Sequence, residues 1–377
     1  MLYLDHAATS PVRPEVLEAM RPYLTGVFGN PSSHHTVGEA AASALDDARA
    51  RVARVLGMRS GDVIFTSGGT EANNLALKGI VLASGRRHLV VSPIEHESIL
   101  ESAAYLERFH GTTVSMVPVD AAGRISASAL LDVLRDETAL VSLGHANNEI
   151  GTIQDVAELA DVVHAAGAVL HLDAVQSAGW LPLTGLGADA ISIAGHKLGT
   201  PKGIGALIVR GRIPLEPLIH GGGQERGRRS GTENVAGAVA LATALELADA
   251  ERDAVADAVG ERTRAFIVDV LARVPQAALT GDADARLPGI ASFTFAGVSG
   301  EAVLLELERR GVVSSSGSAC AAGSDEPSHV LIACGVAREV AQTSVRFTFG
   351  RTPLPAEAPA QLAALVADAV HSVLPAR

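Results

Sequence analysis

A lysine ends a short, largely apolar run at Gly195-His196-Lys197, and a Gly/Pro-rich turn and a second apolar run follow it. This pattern predicts that Lys197 lies where a buried strand emerges into a loop. Desolvation there lowers the pKa of an amine and makes it a usable nucleophile. We predict that Lys197 holds an aldehyde cofactor as a Schiff base. The alternative is an ordinary loop lysine.

A carboxylate closes the preceding apolar run, at His171-Leu172-Asp173. A carboxylate at the end of a buried strand is costly unless it is paired with a cation. A pyridinium nitrogen would be such a partner, and pairing would keep the ring protonated as an electron sink. Gln176, one turn further on, could bond the phenolic oxygen of such a ring. The alternative is that Asp173 only caps the segment after it.

Two further strand ends carry polar residues. The run from Thr66 to Asn74, with Gly69 and Thr70 at its centre, follows one strand and opens a helix. Glycines let backbone N–H groups approach a ligand, and a helix N-terminus favours an anion such as phosphate. The alternative is an empty turn with Thr70 as the helix N-cap.

His96 follows the next strand, where an imidazole can stack on a flat ring and move protons. A surface histidine is the alternative.

These residues converge at one edge of the predicted sheet. A lysine for the aldehyde, an aspartate for the ring nitrogen and a helix N-terminus for the phosphate are what pyridoxal phosphate requires. We therefore expect pyridoxal 5'-phosphate as the cofactor.

A second reactive group is Cys320, which small Ser, Gly and Ala residues surround on both sides. No apolar bulk shields it, so we expect an accessible thiol suited to nucleophilic attack rather than a packed core residue. Cys334 lies in an apolar helical run and is predicted to belong to the core.

Other site types have weaker support. His34 and His35 are adjacent and do not share a helix face, so no spacing supports a metal site with Cys320. No Gly-x-Ser-x-Gly motif accompanies a plausible catalytic triad. We expect no metal.

The composition excludes several classes of protein. The 377 residues carry 30 Lys and Arg against 42 Asp and Glu, a net charge of −12, which argues against direct nucleic-acid binding. Two cysteines are too few for a disulfide scaffold. The N-terminus has no signal-peptide pattern, and no apolar stretch is long enough to span a bilayer. We expect a cytoplasmic protein with no membrane association.

Apolar strands alternate with helices up to about residue 231, which predicts an α/β fold with a mostly parallel sheet covered on both faces. Beyond it the pattern changes to a long Ala-rich helix, 234–274, and then to alternating strands and helices. We predict a large domain at 12–253 and a smaller α+β domain formed by 1–11 and 254–377.

With these residues in place, the chain resembles the cysteine desulfurases, which are class V aminotransferases of pyridoxal-phosphate fold-type I. The resemblance covers nearly the whole length. It rests on the ordered motifs Tyr3–Thr9, Gly29–His34, Thr66–Asn74, Asn147–Thr152, Asp173–Gln176, Gly195–Lys197, Arg229–Thr232, Ser315–Cys320 and Glu326–Leu331. The extended segment after Cys320 is similar to that of the subgroup with a long cysteine loop.

The resemblance implies a role for each matching residue. It makes Lys197 the Schiff-base lysine and Cα proton shuttle, and Cys320 the persulfide-forming nucleophile. His96 would stack on the ring and transfer protons. The other implied cofactor ligands are Gly69, Thr70, Asn148 (rather than Asn147), Asp173, Gln176, His196 and Thr232, the last from the other subunit of a homodimer. Arg346 would grip the substrate carboxylate together with Asn30.

The implied reaction converts L-cysteine to L-alanine, and a sulfur-acceptor protein for iron–sulfur cluster, thio-cofactor or tRNA biosynthesis takes the sulfur. Ala194 departs from the family pattern, because many relatives carry serine there. One phosphate contact is then missing, and we expect weaker cofactor retention. The alternatives are a selenocysteine lyase or another class V lyase or aminotransferase, and a non-catalytic sulfur-transfer assembly protein.

Overall fold

The structure is a computed structural model that describes residues 1–317 and 326–374. Its strands, numbered in chain order, are β1 (Leu2–Tyr3), β2 (Val63–Thr66), β3 (His88–Val91), β4 (Thr113–Met116), β5 (Thr138–Gly144), β6 (Val169–Asp173), β7 (Ala190–Ala194), β8 (Gly205–Val209), β9 (Ala277–Leu279), β10 (Ile290–Phe295), β11 (Val312–Val313) and β12 (Ser344–Thr348).

The helices are α1 (Pro14–Thr25), α2 (Thr36–Val55), α3 (Gly69–Ser84), α4 (Glu97–His110), α5 (Ala127–Val133), α6 (Val156–Ala165), α7 (Gly195–Leu198), α8 (Val235–Ala250), α9 (Arg252–Arg273), α10 (Gly300–Arg309), α11 (His329–Ala333), α12 (Arg338–Ala341) and α13 (Ala358–Val373). None of these helices has both the length and the apolarity needed to cross a membrane.

The seven-stranded sheet has the order β2-β8-β7-β6-β5-β3-β4. The pairs among β7, β6, β5, β3 and β4 are parallel, and β8 runs antiparallel to both of its neighbours. Strands such as β7 and β8 are buried along their whole length, because helices cover both faces. The predicted α/β fold with a mostly parallel sheet is confirmed.

The helices form a layer on each face of this sheet. Helix α8 packs against α1 and α2 in one layer, and α3 packs against α4 in the other. The uniformly small, apolar sequence of α8 lets it lie almost completely buried.

A second core contains the remaining elements. Sheet β12-β10-β9 is antiparallel, and β1 pairs with β11 in parallel. Phe266, Phe293 and Phe347 form edge-to-face contacts in its centre, and Leu4 joins the same cluster. On this basis we propose the division into domain 12–253 and domain 1–11 with 254–377.

The long predicted helix 234–274 is two helices that meet at Glu251. The Glu251 carboxylate accepts hydrogen bonds from the Arg13 guanidinium at 2.8 and 3.1 Å. This ion pair fixes the bend and ties it to the chain segment that enters the large domain. Cys334 is buried, as predicted, and burial raises the pKa of its thiol to about 11.

Candidate active site

A cavity of about 350 Å³ opens at the carboxyl ends of the parallel strands, where ligands bind in sheets of this type. The structure brings nine of the predicted site residues into its wall. They are Gly69, Thr70, His96, Asn148, Asp173, Gln176, His196, Lys197 and Arg346.

Three predicted residues stand apart. Asn30 is exposed and lies outside the cavity wall, where its side-chain oxygen accepts a bond from the Ser32 amide at 2.9 Å. Thr232 is exposed and also lies outside the wall. Cys320 lies outside the described residues.

Lys197 is in the short helix α7, directly after strand β7. Its ammonium donates to the carbonyl oxygen of Ala8 at 2.7 Å and to that of Ala7. The Ala7 carbonyl also accepts a bond from Gln176 Nε2 at 3.1 Å. The N-terminal segment therefore forms part of the site wall, a contribution that sequence reasoning did not assign to these alanines.

Asp173 is half-buried, and each of its carboxylate oxygens has a protein donor. Oδ1 accepts from the Val175 amide at 2.9 Å, and Oδ2 accepts from Asn73 Nδ2 at 2.7 Å. Because each carboxylate oxygen has two lone pairs, the group retains capacity for a ring N–H. These two bonds fix the orientation of the Asp173 side chain.

Asn73 connects Asp173 to His96. The same Nδ2 donates to Ser98 Oγ at 3.0 Å, and Ser98 Oγ lies 2.8 Å from His96 Nδ1. Asn73 is buried on the inner face of α3, among apolar residues. A polar residue in the apolar face of a helix was the available sequence signal, and our sequence reasoning gave it no role.

The N-terminus of helix α3 meets the cavity at Gly69. A Cβ at Gly69 would lie 2.8 Å from Val175 Cγ2 and 3.2 Å from Ala194 Cβ, so only glycine fits this approach. Gly68 is the N-cap, and Thr70 is the second helical residue, so the alternative of Thr70 as the cap is wrong. The free N–H groups of this 16-residue helix suit an anion.

The Arg229–Thr232 segment approaches the same helix end. The Arg229 guanidinium donates to the Glu71 carboxylate at 2.8 Å, and Glu71 also accepts from the Ser67 amide at 2.7 Å. These bonds lower the pKa of Glu71 against the opposing effect of its burial. One basic side chain, that of Arg229, therefore reaches the end of α3 at which an anion would bind.

His196 lies in the cavity wall with its Nδ1 3.2 Å from Thr9 Oγ1. Burial, and then the charges of Lys197 and Lys202, lower its pKa to about 4. His196 is therefore neutral at pH 7, so its ring can serve a ligand as a hydrogen-bonding group but not as a cation.

The two adjacent asparagines, Asn147 and Asn148, differ in their surroundings. The Asn147 side chain forms hydrogen bonds with backbone groups. Its Nδ2 donates to the Ile94 carbonyl, and its Oδ1 accepts from the amides of Glu149 and Ile150. Asn148 is half-buried in the cavity wall. Asn148 therefore stays the predicted ligand of the two.

Arg346, on strand β12, is buried and bound on two sides. Nη2 pairs with Asp5 Oδ1 at 2.7 Å, and Nη1 donates to the carbonyls of Asn148 and Gly317 at 2.8 and 3.2 Å. Its Nε atom is buried and has no hydrogen-bond partner among the residues that the structure describes. A buried, unpaired N–H in a cavity wall is suited to an incoming acceptor such as a carboxylate.

Glu95 is a buried carboxyl in the wall that sequence reasoning passed over. It accepts hydrogen bonds from Ser92 Oγ at 2.6 Å and from the Gly144 amide. Burial, and next the charge of Asp173, raise the pKa of Glu95 to about 8 although these bonds oppose the shift. At pH 7 the Glu95 carboxyl is therefore mainly neutral and does not add a second full negative charge next to that of Asp173.

The residues present fit pyridoxal phosphate. The carboxylate of Asp173, the amine of Lys197 and the close-packed N-terminus of α3 lie around one cavity. Within residues 1–317 and 326–374, no cluster of histidine, cysteine or acidic side chains is arranged to hold a metal ion.

Comparisons with known proteins show the family of the chain. The model of the family described as aminotransferase class-V matches residues 2–354. The chain is 45% identical to the cysteine desulfurase IscS of Dictyoglomus turgidum, over 93% of this chain and 89% of that one. It is 44% identical to the IscS-like cysteine desulfurase of Mycobacterium tuberculosis, over 97% and 95%.

Solved structures give the same relationship. A NifS-like protein superposes with a TM-score of 0.91 at 34% identity, covering 99% of this chain and all of that one. A structure described as SspA in complex with cysteine superposes with a TM-score of 0.82 at 34% identity, covering 94% and 100%. The chain belongs to the class-V aminotransferase family and, within it, to the cysteine desulfurases.

Proposed function

We propose that the chain converts L-cysteine to L-alanine and holds the released sulfur as a persulfide on Cys320. The observation that carries this function is the convergence of Lys197, Asp173 and Arg346 on one cavity. The names of the relatives agree with it, since they are cysteine desulfurases, and one similar solved structure contains cysteine.

Pyridoxal phosphate, when bound, supplies an electron sink for the charge that develops at the substrate Cα. Asp173 would hold its ring nitrogen, Lys197 its aldehyde carbon, and the N-terminus of α3 with His196 its phosphate. His96 would stack on its ring, and Gln176 and Asn148 would bond its polar edge. Thr232 of a second subunit would complete the phosphate site in a homodimer.

In the first half of the reaction, which ends with removal of the Cα proton, the residues that the structure describes have separate roles. Arg346 binds the substrate carboxylate, which aligns the Cα–H bond with the Lys197 amine. Lys197 then removes the Cα proton. The exclusion of bulk water from the buried parts of the wall strengthens the pull of Arg346 on the carboxylate.

Sulfur leaves the substrate in the second half. The thiolate of Cys320 forms a bond to the substrate sulfur, and the bond between that sulfur and Cβ breaks. Its electron pair stays on the carbon, which takes up protons and departs as alanine. The sulfur remains as the outer atom of the Cys320 persulfide, so atoms and electrons balance without an external oxidant.

The destination of the sulfur, the oligomeric state and the location of the enzyme belong to the same proposal. The persulfide would pass to an acceptor protein that serves iron–sulfur cluster assembly, thio-cofactor synthesis or tRNA thiolation. We propose a cytoplasmic homodimer, an arrangement that also supplies Thr232.

Replacing Cys320→Ser tests the assignment, with Cys334→Ser as the matched control. The Cys320 variant should keep the absorbance of the bound cofactor and lose alanine formation, while the Cys334 variant keeps both. Undiminished alanine formation by the Cys320 variant contradicts the role. Activity with selenocysteine that persists without Cys320 would instead identify a selenocysteine lyase.

A further inference from the structure

A second, smaller cavity adjoins Lys197. Its volume is about 30 Å³, and it shares four lining residues with the cavity proposed for the cofactor. The shared residues are Ala7, Val175, Gln176 and Lys197. They form the partition between the two spaces, and we call the smaller one the rear cavity. The proposed function gives it no role.

The rear cavity lies where strand β12 meets the N-terminal segment. Thr348 is the last residue of β12 and lines the cavity, and its backbone amide donates to the Leu4 carbonyl at 2.7 Å. The carbonyls of Ala7 and Ala8, a few residues further along this segment, bind the Lys197 ammonium. The wall of the rear cavity is therefore attached to the residues that hold Lys197.

Two polar atoms of residues in this wall are buried and lack a hydrogen-bond partner within the part of the chain that the structure describes. They are Thr348 Oγ1, in a residue that is 4% exposed, and Arg351 Nε. The rest of the guanidinium is occupied, since Nη1 donates to the Gly179 carbonyl at 2.5 Å and Nη2 donates to that of Ala248 at 2.9 Å. Because a buried polar atom without a partner is costly, these two atoms indicate a polar ligand in the rear cavity.

Water is the ligand that fits this cavity. The volume exceeds the roughly 10–15 Å³ that one water molecule needs, and it is far too small for an amino acid. Arg351 Nε can only donate, whereas the Thr348 hydroxyl can donate and accept, so one water molecule can bond to both. The Glu251 carboxylate lies 3.8 Å from Arg351 Nη2 and offsets its charge, so the cavity does not require an anion.

We propose that the rear cavity binds water between Thr348 and Arg351, and that this water exchanges protons with the amine of Lys197. The role rests on the proposed function, in which Lys197 removes the substrate Cα proton. One N–H bond of the Lys197 ammonium breaks, and its proton joins the water oxygen. A solvent proton then bonds to the electron pair left on nitrogen, so the charge of the amine is unchanged. The hydrogen that Lys197 later returns to carbon therefore comes partly from solvent.

Substrate that carries deuterium at Cα makes this exchange measurable. The Lys197 ammonium has three equivalent hydrogens, one of which comes from the substrate. Without exchange, at most roughly one in three of the hydrogens returned to carbon would be deuterium. Exchange with the water of the rear cavity lowers this fraction, and slower exchange restores it.

One turnover of the cofactor-loaded enzyme with this cysteine in ordinary water, followed by mass spectrometry of the alanine, tests the role. Thr348→Val removes the hydroxyl and keeps the shape of the side chain, whereas Thr348→Ser keeps the hydroxyl. Thr263→Val is the matched control, because Thr263 Oγ1 is also buried without a partner in the described chain but lines neither cavity. A variant that is merely slower gives more time for exchange, which would lower the deuterium content rather than raise it.

We expect the alanine from the wild-type enzyme to contain deuterium well below the limit set by the three hydrogens. Loss of one hydrogen bond to the water should slow exchange about 3- to 10-fold, so the alanine from Thr348→Val should approach that limit. Thr348→Ser and Thr263→Val should match the wild type. A wild-type content already at the limit overturns the proposal, as does a Thr348→Val content equal to that of the wild type.

A crystal structure of the cofactor-loaded wild-type enzyme tests the site without any variant. It should show a water oxygen within hydrogen-bond distance of Thr348 Oγ1 and Arg351 Nε. A dry cavity, or an anion in it, overturns the proposal. If the wild-type enzyme releases no alanine, the proposed function fails first, which separates the two results.

Discussion

Asn73 Nδ2 lies 2.7 Å from Asp173 Oδ2 and joins this carboxylate, through Ser98, to the imidazole of His96. One buried amide thus orients both residues that are assigned to the cofactor ring. The Asp173 carboxylate and the His96 imidazole come from different strand ends, and neither strand alone could fix their relative positions. Helix α3, which also presents its N-terminus to the cavity, supplies this link.

Replacing Asn73→Ala should impair catalysis without unfolding the enzyme. A hydrogen bond to a charged group contributes roughly 1.5–3 kcal/mol, so kcat/KM for cysteine should fall about 10- to 100-fold. The neighbouring Asn74→Ala is the control, since Asn74 bonds only to Thr70 and Lys78 of its own helix in the described structure. Steady-state alanine formation measures both variants, and equal effects would show that Asn73 has no special link to the ring site.

Asp5 sets the orientation of Arg346. It pairs with Nη2 at 2.7 Å, and two backbone carbonyls accept from Nη1, so among the described residues Nε is the atom left for the substrate carboxylate that we propose. Asp5→Asn keeps the size of the side chain but removes its charge, so the guanidinium is held less firmly. We expect KM for cysteine to rise by about 10-fold with a smaller change in kcat, as a weakened charge-assisted bond predicts. A KM that falls would mean that Asp5 competes with the substrate carboxylate.

Ala194 offers a gain-of-function test. Its Cβ lies beside Gly69 at the N-terminus of α3, where a phosphate would bind. Ala194→Ser places a hydroxyl there, and a new bond to a charged group should slow cofactor release by about 10-fold or more. The rate is followed by the loss of cofactor absorbance on dilution into a cofactor trap. An unchanged release rate would show that this hydroxyl position does not reach the phosphate.

Glu95 should make folding stability depend on pH. Its pKa is about 8 in the folded chain against 4.5 in the unfolded one. Between these values the folded state binds the extra proton, so stability falls as pH rises, by about 1.4 kcal/mol per pH unit for this group. Glu95→Gln removes the titration.

Urea unfolding of both proteins across this range of pH measures the difference. The stability of Glu95→Gln relative to wild type should rise with pH between the two pKa values and level off above about pH 8. A constant difference between the two proteins would show that the Glu95 carboxyl is already ionised in the fold.

The sequence was sufficient for the residues that follow apolar strands. Lys197, Asp173 and His96 could be placed at one sheet edge because carboxyl ends of parallel strands meet there. The antiparallel direction of β8 could not be predicted, since an apolar strand buried on both faces reads alike in either direction. The break at Glu251 was missed because the Arg13 partner that fixes it is distant in sequence.

Side-chain partners over long sequence separations were also beyond prediction. The Asn73–Asp173 and Asp5–Arg346 bonds join residues that only the folded sheet brings together. The neutral state of Glu95 depends on burial and on Asp173, neither of which its own neighbours in the sequence indicate.

The central claim is that sulfur moves from L-cysteine to Cys320 while the carbon skeleton leaves as alanine. One turnover with L-cysteine that carries isotopically labelled sulfur tests it, followed by mass spectrometry of the peptide that contains Cys320 and quantification of alanine. The account predicts one labelled sulfur atom on Cys320 for each alanine released. Alanine without label on that peptide, or labelled sulfide with pyruvate in place of alanine, would contradict it.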